Sequence, residues 1–169
     1  MKIWHRILVV LLVLGSCIGC DQVSKDLAID NLRHAPSVSF WSDTIHLLYA
    51  ENPGAAFSLG ADLHPQLRFW FFTVGSGVFL AILLLFILMR RGASHLEVLG
   101  FALVIGGGMS NLLDRILKDG RVIDFLMLRF GDVQTAIFNF ADVMIIMGMV
   151  ILLTELWRMR WTTRAAWQQ

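Results

Sequence analysis

Asp142 and Asp124 are carboxylates set among apolar neighbours. Asp142 is the one charge within residues 133–154, and Asp124 interrupts the stretch Val122-Ile123-Asp124-Phe125-Leu126. A carboxylate at bilayer depth costs about 2.5–3.5 kcal/mol even on the lenient insertion scale, so an acid kept there is a functional candidate by default. Two carboxylates sharing one water can hydrolyse an amide without metal, serine or cysteine. At short separation they cannot both ionise, so the charged one draws a proton from water while the protonated one polarises the carbonyl. No Ser/His/Asp or Cys/His set competes for that role, and the five histidines are scattered. Cys17 and Cys20 have the spacing of half a zinc site without a second pair, and read as small buried residues. On residues alone, two further classes stay open: a proton- or ion-coupled transport component, and a structural assembly partner.

The elements that must position these acids are apolar. The 169 residues are 57% hydrophobic and 16% charged, with net charge +1, which argues for one membrane domain and gives no basis for nucleic-acid binding. Uncharged runs at residues 7–20, 69–89 and 98–113, with 133–154 around Asp142, read as four spans. With extension to the ~20 residues that a bilayer requires, they cover about 7–27, 67–89, 96–114 and 135–157. Lys2, Arg6, Arg90, Arg91, Arg158, Arg160 and Arg164 crowd one end of these spans against Glu97 and Glu155. That density predicts cytoplasmic termini. Residues of about 33–66 and 115–134 then face outward. The first connection carries the turn signals Pro36, Asn52-Pro53-Gly54 and Pro65 and two short apolar runs that predict a small sheet. The second begins with the turn Lys118-Asp119-Gly120 and leads into a short extended segment around Asp124.

Asn111 and Arg115 are four apart, and Asn139 and Asp142 three apart, so each pair shares a helix face. With Asp21 at the end of the first span, these groups and Asp124 are predicted to converge at one depth. Plainer roles exist for each: Asp21 as an interface marker, Asp114 with Arg115 as an anchoring pair, Asn139 as an interhelical donor, Asp124 as a loop acid. Gly106-Gly107-Gly108 and Gly75-Ser76-Gly77 lack any Walker or dinucleotide context and read as close helix contacts.

The blocks Asp21-Gln22-Val23-Ser24-Lys25, Asn52-Pro53-Gly54-Ala55-Ala56-Phe57, Asn111-Leu112-Leu113-Asp114-Arg115, Val122-Ile123-Asp124-Phe125 and Phe138-Asn139-Phe140-Ala141-Asp142 follow one another along nearly the whole chain. In that order they resemble the signature blocks of lipoprotein signal peptidase (signal peptidase II). The resemblance implies a multi-pass aspartic peptidase of the bacterial inner membrane. Its fold would be an all-α bundle of four transmembrane helices. A small extracytoplasmic β-sheet and a short helix, at about 37–66, would lie on the outer membrane surface. Its substrates would be diacylglyceryl-modified prolipoproteins, cut just before the lipidated lipobox cysteine.

By position, Asp124 and Asp142 match the catalytic pair. Asn52, Asn111, Arg115 and Asn139 match residues that support the pair or contact substrate backbone. Asp21 and Lys25 match the first block, Asp21 in a structural role, and Gly54 the loop that closes over the site. The resemblance further implies no cofactor and no metal, membrane lipids as surroundings, inhibition by globomycin-type cyclic peptides, and a monomer. Two departures are Pro53 in the middle of its block and a spacing from Arg115 to Asp124 that is one residue longer than usual. A competing view takes residues 1–16 as a lipoprotein signal ahead of a lipidated Cys17; it would discard the first span and leave the Asp21 block without purpose.

Overall fold

Apolar runs with few interruptions fold into four helices: α1 (Ile3–Leu32), α2 (Pro65–Met89), α3 (His95–Leu117) and α4 (Phe140–Ala166). The computed structural model describes residues 2–55 and 58–166, with 160–166 as backbone only. Each helix is long and apolar enough to cross a membrane. Pro65 opens α2, where its missing N–H is no loss, and a π-helical stretch occupies Phe69–Gly75. Ser94 starts α3 with a capping box: its hydroxyl accepts from the Glu97 N–H while the Glu97 carboxylate accepts from Ser94 N–H.

Four antiparallel strands form a sheet in the order β1 (Val38–Phe40), β2 (Ile45–Asn52), β3 (Val122–Phe130) and β4 (Val133–Gln134). The sheet is larger than the sequence predicted. The segment around Asp124 is a nine-residue inner strand, paired with β2 on one edge and β4 on the other. Asp119 and Gly120, both at positive φ, make the turn from α3 into β3. The short surface helix expected within about 37–66 falls on a stretch that includes residues 56 and 57, outside those described.

Two span boundaries differ from expectation. α1 is continuous for 30 residues, longer at both ends than the expected 7–27, and Asp21 within it is fully buried. α4 begins at Phe140, not near 135: Val133–Gln134 is a strand, and Phe138 bridges Leu126. Asp142 is therefore in the first turn of its helix. A short uncharged run does not by itself distinguish strand from helix, and 133–139 is such a run.

Burial is inverted relative to a protein in water. Lys25, Asn139, Asp21, Asp114 and Ser110 are fully buried, while Leu8, Leu12, Trp70, Phe79 and Leu153 are exposed. That pattern suits hydrocarbon as the solvent, where polar groups must find partners inside. α3 is the hub. α1, α2 and α4 all pack on it, whereas α2 and α4 stand apart on either side. Close approach depends on absent side chains: a Cβ on Gly148 would lie 2.6 Å from the Gly100 carbonyl oxygen, and one on Gly107 would strike that of Ala141.

Candidate active site

The start of α4 is fixed by its own polar residues. Asp142 N–H donates to Asn139 Oδ1 (3.0 Å) and Asn139 N–H donates to Asp142 Oδ2 (3.2 Å), a capping box with aspartate in the third helical position. The next orphan donor, Ala141 N–H, is taken from another helix by Asp21 Oδ1 at 2.8 Å. Asp21 thus ties α1 to the turn that carries Asp142.

Asn111, on α3, faces the same turn. Its Nδ2 donates to Asp142 Oδ1 at 2.9 Å, and its Oδ1 accepts from Asn139 Nδ2 (3.1 Å) and Lys25 Nζ (2.9 Å). Lys25 is wholly buried and also meets Asp21 Oδ2 at 2.6 Å and Asp114 Oδ2 at 2.8 Å. Asp114 is itself wholly buried. Beyond Lys25 it accepts from Lys118 Nζ (2.7 Å), Gln22 Nε2 (3.1 Å) and Ile123 N–H (3.2 Å). Asp114 and Arg115, for which an anchoring pair was the plainer alternative, form no ion pair with each other. On a helix adjacent residues diverge by about 100°, so Asp114 turns towards α1 and Arg115 towards the outer loop.

Asp124 enters from the sheet. Asn139 Nδ2 donates to its Oδ1 at 2.7 Å and Asn52 Nδ2 to its Oδ2 at 3.1 Å. A β-bulge makes the second contact feasible. Leu47 pairs with Leu126, but Ala50 pairs with Asp124 and Asn52 with Val122, so β2 carries one extra residue between them. Leu47 and Asn52 are five apart and would face opposite ways in a regular strand. The bulge returns both to the face of β3 that presents Asp124. Tyr49, within the bulge, donates to Glu51 Oε1 at 2.7 Å and lies under the Arg33 guanidinium, 5.7 Å from its ring centre. Burial, and then the charge of Asp142, push the Asp124 carboxyl up to about 6, against the lowering effect of its two amide donors.

Arg115 joins this centre to the outer loop. Its guanidinium donates to Gly54 O at 2.9 Å and to Asn111 O at 3.3 Å, and its Nε is buried without a partner. Gly54 N–H in turn donates to Asn52 Oδ1 at 3.0 Å. A Cβ on Gly54 would lie 2.5 Å from Leu59 O, so only glycine fits.

The two aspartates open onto a cavity of about 740 Å³ between α2, α3 and α4. Asn52, Asn111 and Arg115 line its polar end with them; Phe79, Leu80, Ile146 and Met149 are among its apolar walls. Among the described residues no three His, Cys, Asp or Glu side chains converge as metal ligands.

Every residue singled out in the sequence lies in or directly behind this centre, in two layers. Asp124, Asp142, Asn52, Asn111 and Arg115 border the cavity, and Asn139 bridges from beneath. Asp21 and Lys25 do not reach it and act from behind. Sequence reasoning gave Asp114 a different role and gave none to Gln22 or to Ser110, whose hydroxyl donates to Asp21 Oδ2 at 2.7 Å. Their signal is the helical spacing of Ser110, Asn111 and Asp114, which puts a polar stripe on a helix otherwise apolar at that depth.

A family model described as signal peptidase (SPase) II matches residues 13–158. A lipoprotein signal peptidase of Leifsonia xyli subsp. xyli is 37% identical over 156 residues, covering 87% of this chain and 67% of that one. One from Citrobacter koseri is 36% identical over 153 residues, covering 90% and 88%. A solved structure, described as a bacterial membrane enzyme determined by the in meso method at 2.3 Å resolution, superposes with TM-score 0.76. At 23% identity it covers 94% of this chain and 90% of the other.

Proposed function

The chain belongs to the signal peptidase II family, a multi-pass membrane peptidase acting on lipoprotein precursors, and from that premise we propose that it is an aspartic endopeptidase working through Asp124 and Asp142. The observation that carries this reading is the bridging of both carboxylates by Asn139 and Asn111 at the polar end of an apolar-walled cavity. Asp124, pushed up to about 6, holds the proton. Asp142, oriented by two donors at the start of α4, takes a proton from the attacking water. The water oxygen bonds to the scissile carbonyl carbon as Asp124 protonates the carbonyl oxygen. Collapse of the tetrahedral gem-diol re-forms the carbonyl and breaks the C–N bond, with a hydroxyl proton returning to Asp124 and the Asp142 proton going to the leaving amine.

The substrate is a prolipoprotein whose lipobox cysteine already carries diacylglycerol, cut before that cysteine. The apolar walls suit the signal helix and acyl chains, and Arg115 and Asn52 suit peptide backbone. With both termini cytoplasmic, as the crowding of Arg6, Arg90 and Arg158 at one end favours, the site opens towards the outer leaflet. No cofactor enters the scheme, and a globomycin-type cyclic peptide would compete for the same cavity. Purified protein in bicelles should release signal peptide from a diacylated lipobox peptide. Asp124→Asn and Asp142→Asn should each lower kcat on the order of a thousandfold or more. Full activity in either variant would sink the assignment.

A further inference from the structure

We propose that Lys25, which reaches neither the cavity nor the substrate, is a positioning residue that sets which end of the Asn111 side-chain amide faces Asp142. The proposal rests on the aspartic reading above and adds a device behind the pair. A carboxamide is nearly symmetric in shape, so packing alone does not choose between oxygen and nitrogen; charge and hydrogen bonding do. The Lys25 ammonium has three N–H donors and three partners: Asp21 Oδ2 at 2.6 Å, Asp114 Oδ2 at 2.8 Å and Asn111 Oδ1 at 2.9 Å.

The groups around it leave little freedom. Lys118 Nζ holds the other oxygen of Asp114 (2.7 Å), and Ala141 N–H the other oxygen of Asp21 (2.8 Å), while Ser110 Oγ shares Asp21 Oδ2 with Lys25 (2.7 Å), so both carboxylates are engaged at both oxygens. The third N–H of Lys25 therefore points to Asn111 in an interior where neither residue of the ion pairs is exposed. With Oδ1 held by that ammonium and by Asn139 Nδ2 (3.1 Å), Nδ2 is left to donate to Asp142 Oδ1 at 2.9 Å. Reversal would set an NH₂ group against a buried cation and against the Asn139 NH₂, and a carbonyl oxygen against a carboxylate, three repulsive contacts at low dielectric. A neutral side chain at position 25 removes the one full charge that holds the oxygen end in place.

The test is a double-mutant cycle with Lys25→Gln and Asn111→Ala in the full-length protein in bicelles. Lys25→Gln should lower kcat by about tenfold to a hundredfold, the range for losing a hydrogen bond to a charged group, with KM little changed. In the Asn111→Ala background the same substitution should have no further effect, because the two losses are one. Losses that multiply would overturn the proposal and leave Lys25 a packing residue. Should Lys25→Gln fold poorly, because it strands two buried carboxylates, the cycle is run in Asp114→Asn, which removes one of them.

A second readout does not depend on cleavage. In magic-angle NMR on asparagine-labelled protein, the Asn111 NH₂ resonance, assigned by its loss in Asn111→Ala, should respond to Asp142→Asn. In Lys25→Gln that response should disappear, and its persistence would overturn the inference. Loss of the response together with an unchanged kcat would instead count against the aspartic reading, leaving the orientation intact.

Discussion

Asp124 is buried, and its carboxyl is pushed up to about 6, first by burial and then by the neighbouring charge of Asp142. In the unfolded chain the same group titrates near 3.8. At acid pH both states hold the proton and the group is neutral to stability. As pH rises through that window the unfolded chain releases its proton first, and above about 6 the folded state carries an ionised carboxylate at a cost of about 3 kcal/mol. Asp124→Asn should therefore raise the thermal midpoint at about pH 8 and leave it nearly unchanged at about pH 4, where the carboxyl is mostly protonated. Equal shifts at both values would refute the linkage. The sign for catalysis follows from the same titration. A pair that needs one proton loses activity as pH rises, so kcat/KM should fall on its alkaline side with an apparent value at or above about 6. Bound substrate displaces water and should move the corresponding limb of kcat upward. A profile rising through that range would exclude Asp124 as the proton holder.

Much of the centre was legible at this scale. Intramembrane acids and amides at helical spacing are expensive enough to stand out in a chain this apolar. What spacing could not disclose is the role of Lys25 and Asp114. Each has one partner at i,i+4 spacing on its own helix, Asp21 for Lys25 and Lys118 for Asp114. The contacts that join the two helices lie nearly ninety positions apart, and nothing local in Asp21-Gln22-Val23-Ser24-Lys25 says which groups of α3 will face it.

Secondary-structure elements tell a different story. The four helices were readable because long apolar runs have few alternatives. The start of α4 was not, since the apolar residues Ala136-Ile137-Phe138 run on towards the helix, while backbone hydrogen bonds to β3 from Thr135 and Phe138 hold the segment extended. The bulge in β2 was likewise invisible. Ile45-His46-Leu47-Leu48-Tyr49 gives no hint that alternation will slip by one. That slip has a measurable consequence. Removing Leu48 yields a regular strand in which Asn52 still opposes Val122, whereas inserting one alanine after Leu48 turns Asn52 away from Asp124. Cleavage should survive the deletion within a few-fold and fall by about tenfold in the insertion, the upper end of the range for losing one hydrogen bond. The reverse order would show that the bulge serves twist rather than facing.

At the scale of the whole molecule, polar groups are gathered inside and apolar ones turned out, and α3 separates α2 from α4 with the cavity between them. If the proposed function holds and the substrate enters through this gap, it would reach the site by movement within the bilayer. Holding bulk amounts of enzyme and diacylated peptide fixed while raising lipid about tenfold should then lower the initial rate by a similar factor, because the effective concentration is set in the membrane. A rate indifferent to lipid would mean delivery from water.

On the proposed reading, the separation of α2 from α4 sets the units in which this protein's work is measured. Its encounters would be counted per area of membrane, and the search for substrate would have two dimensions rather than three. Crowding of the leaflet, not abundance in the cell, would then decide how often the pair of aspartates is used.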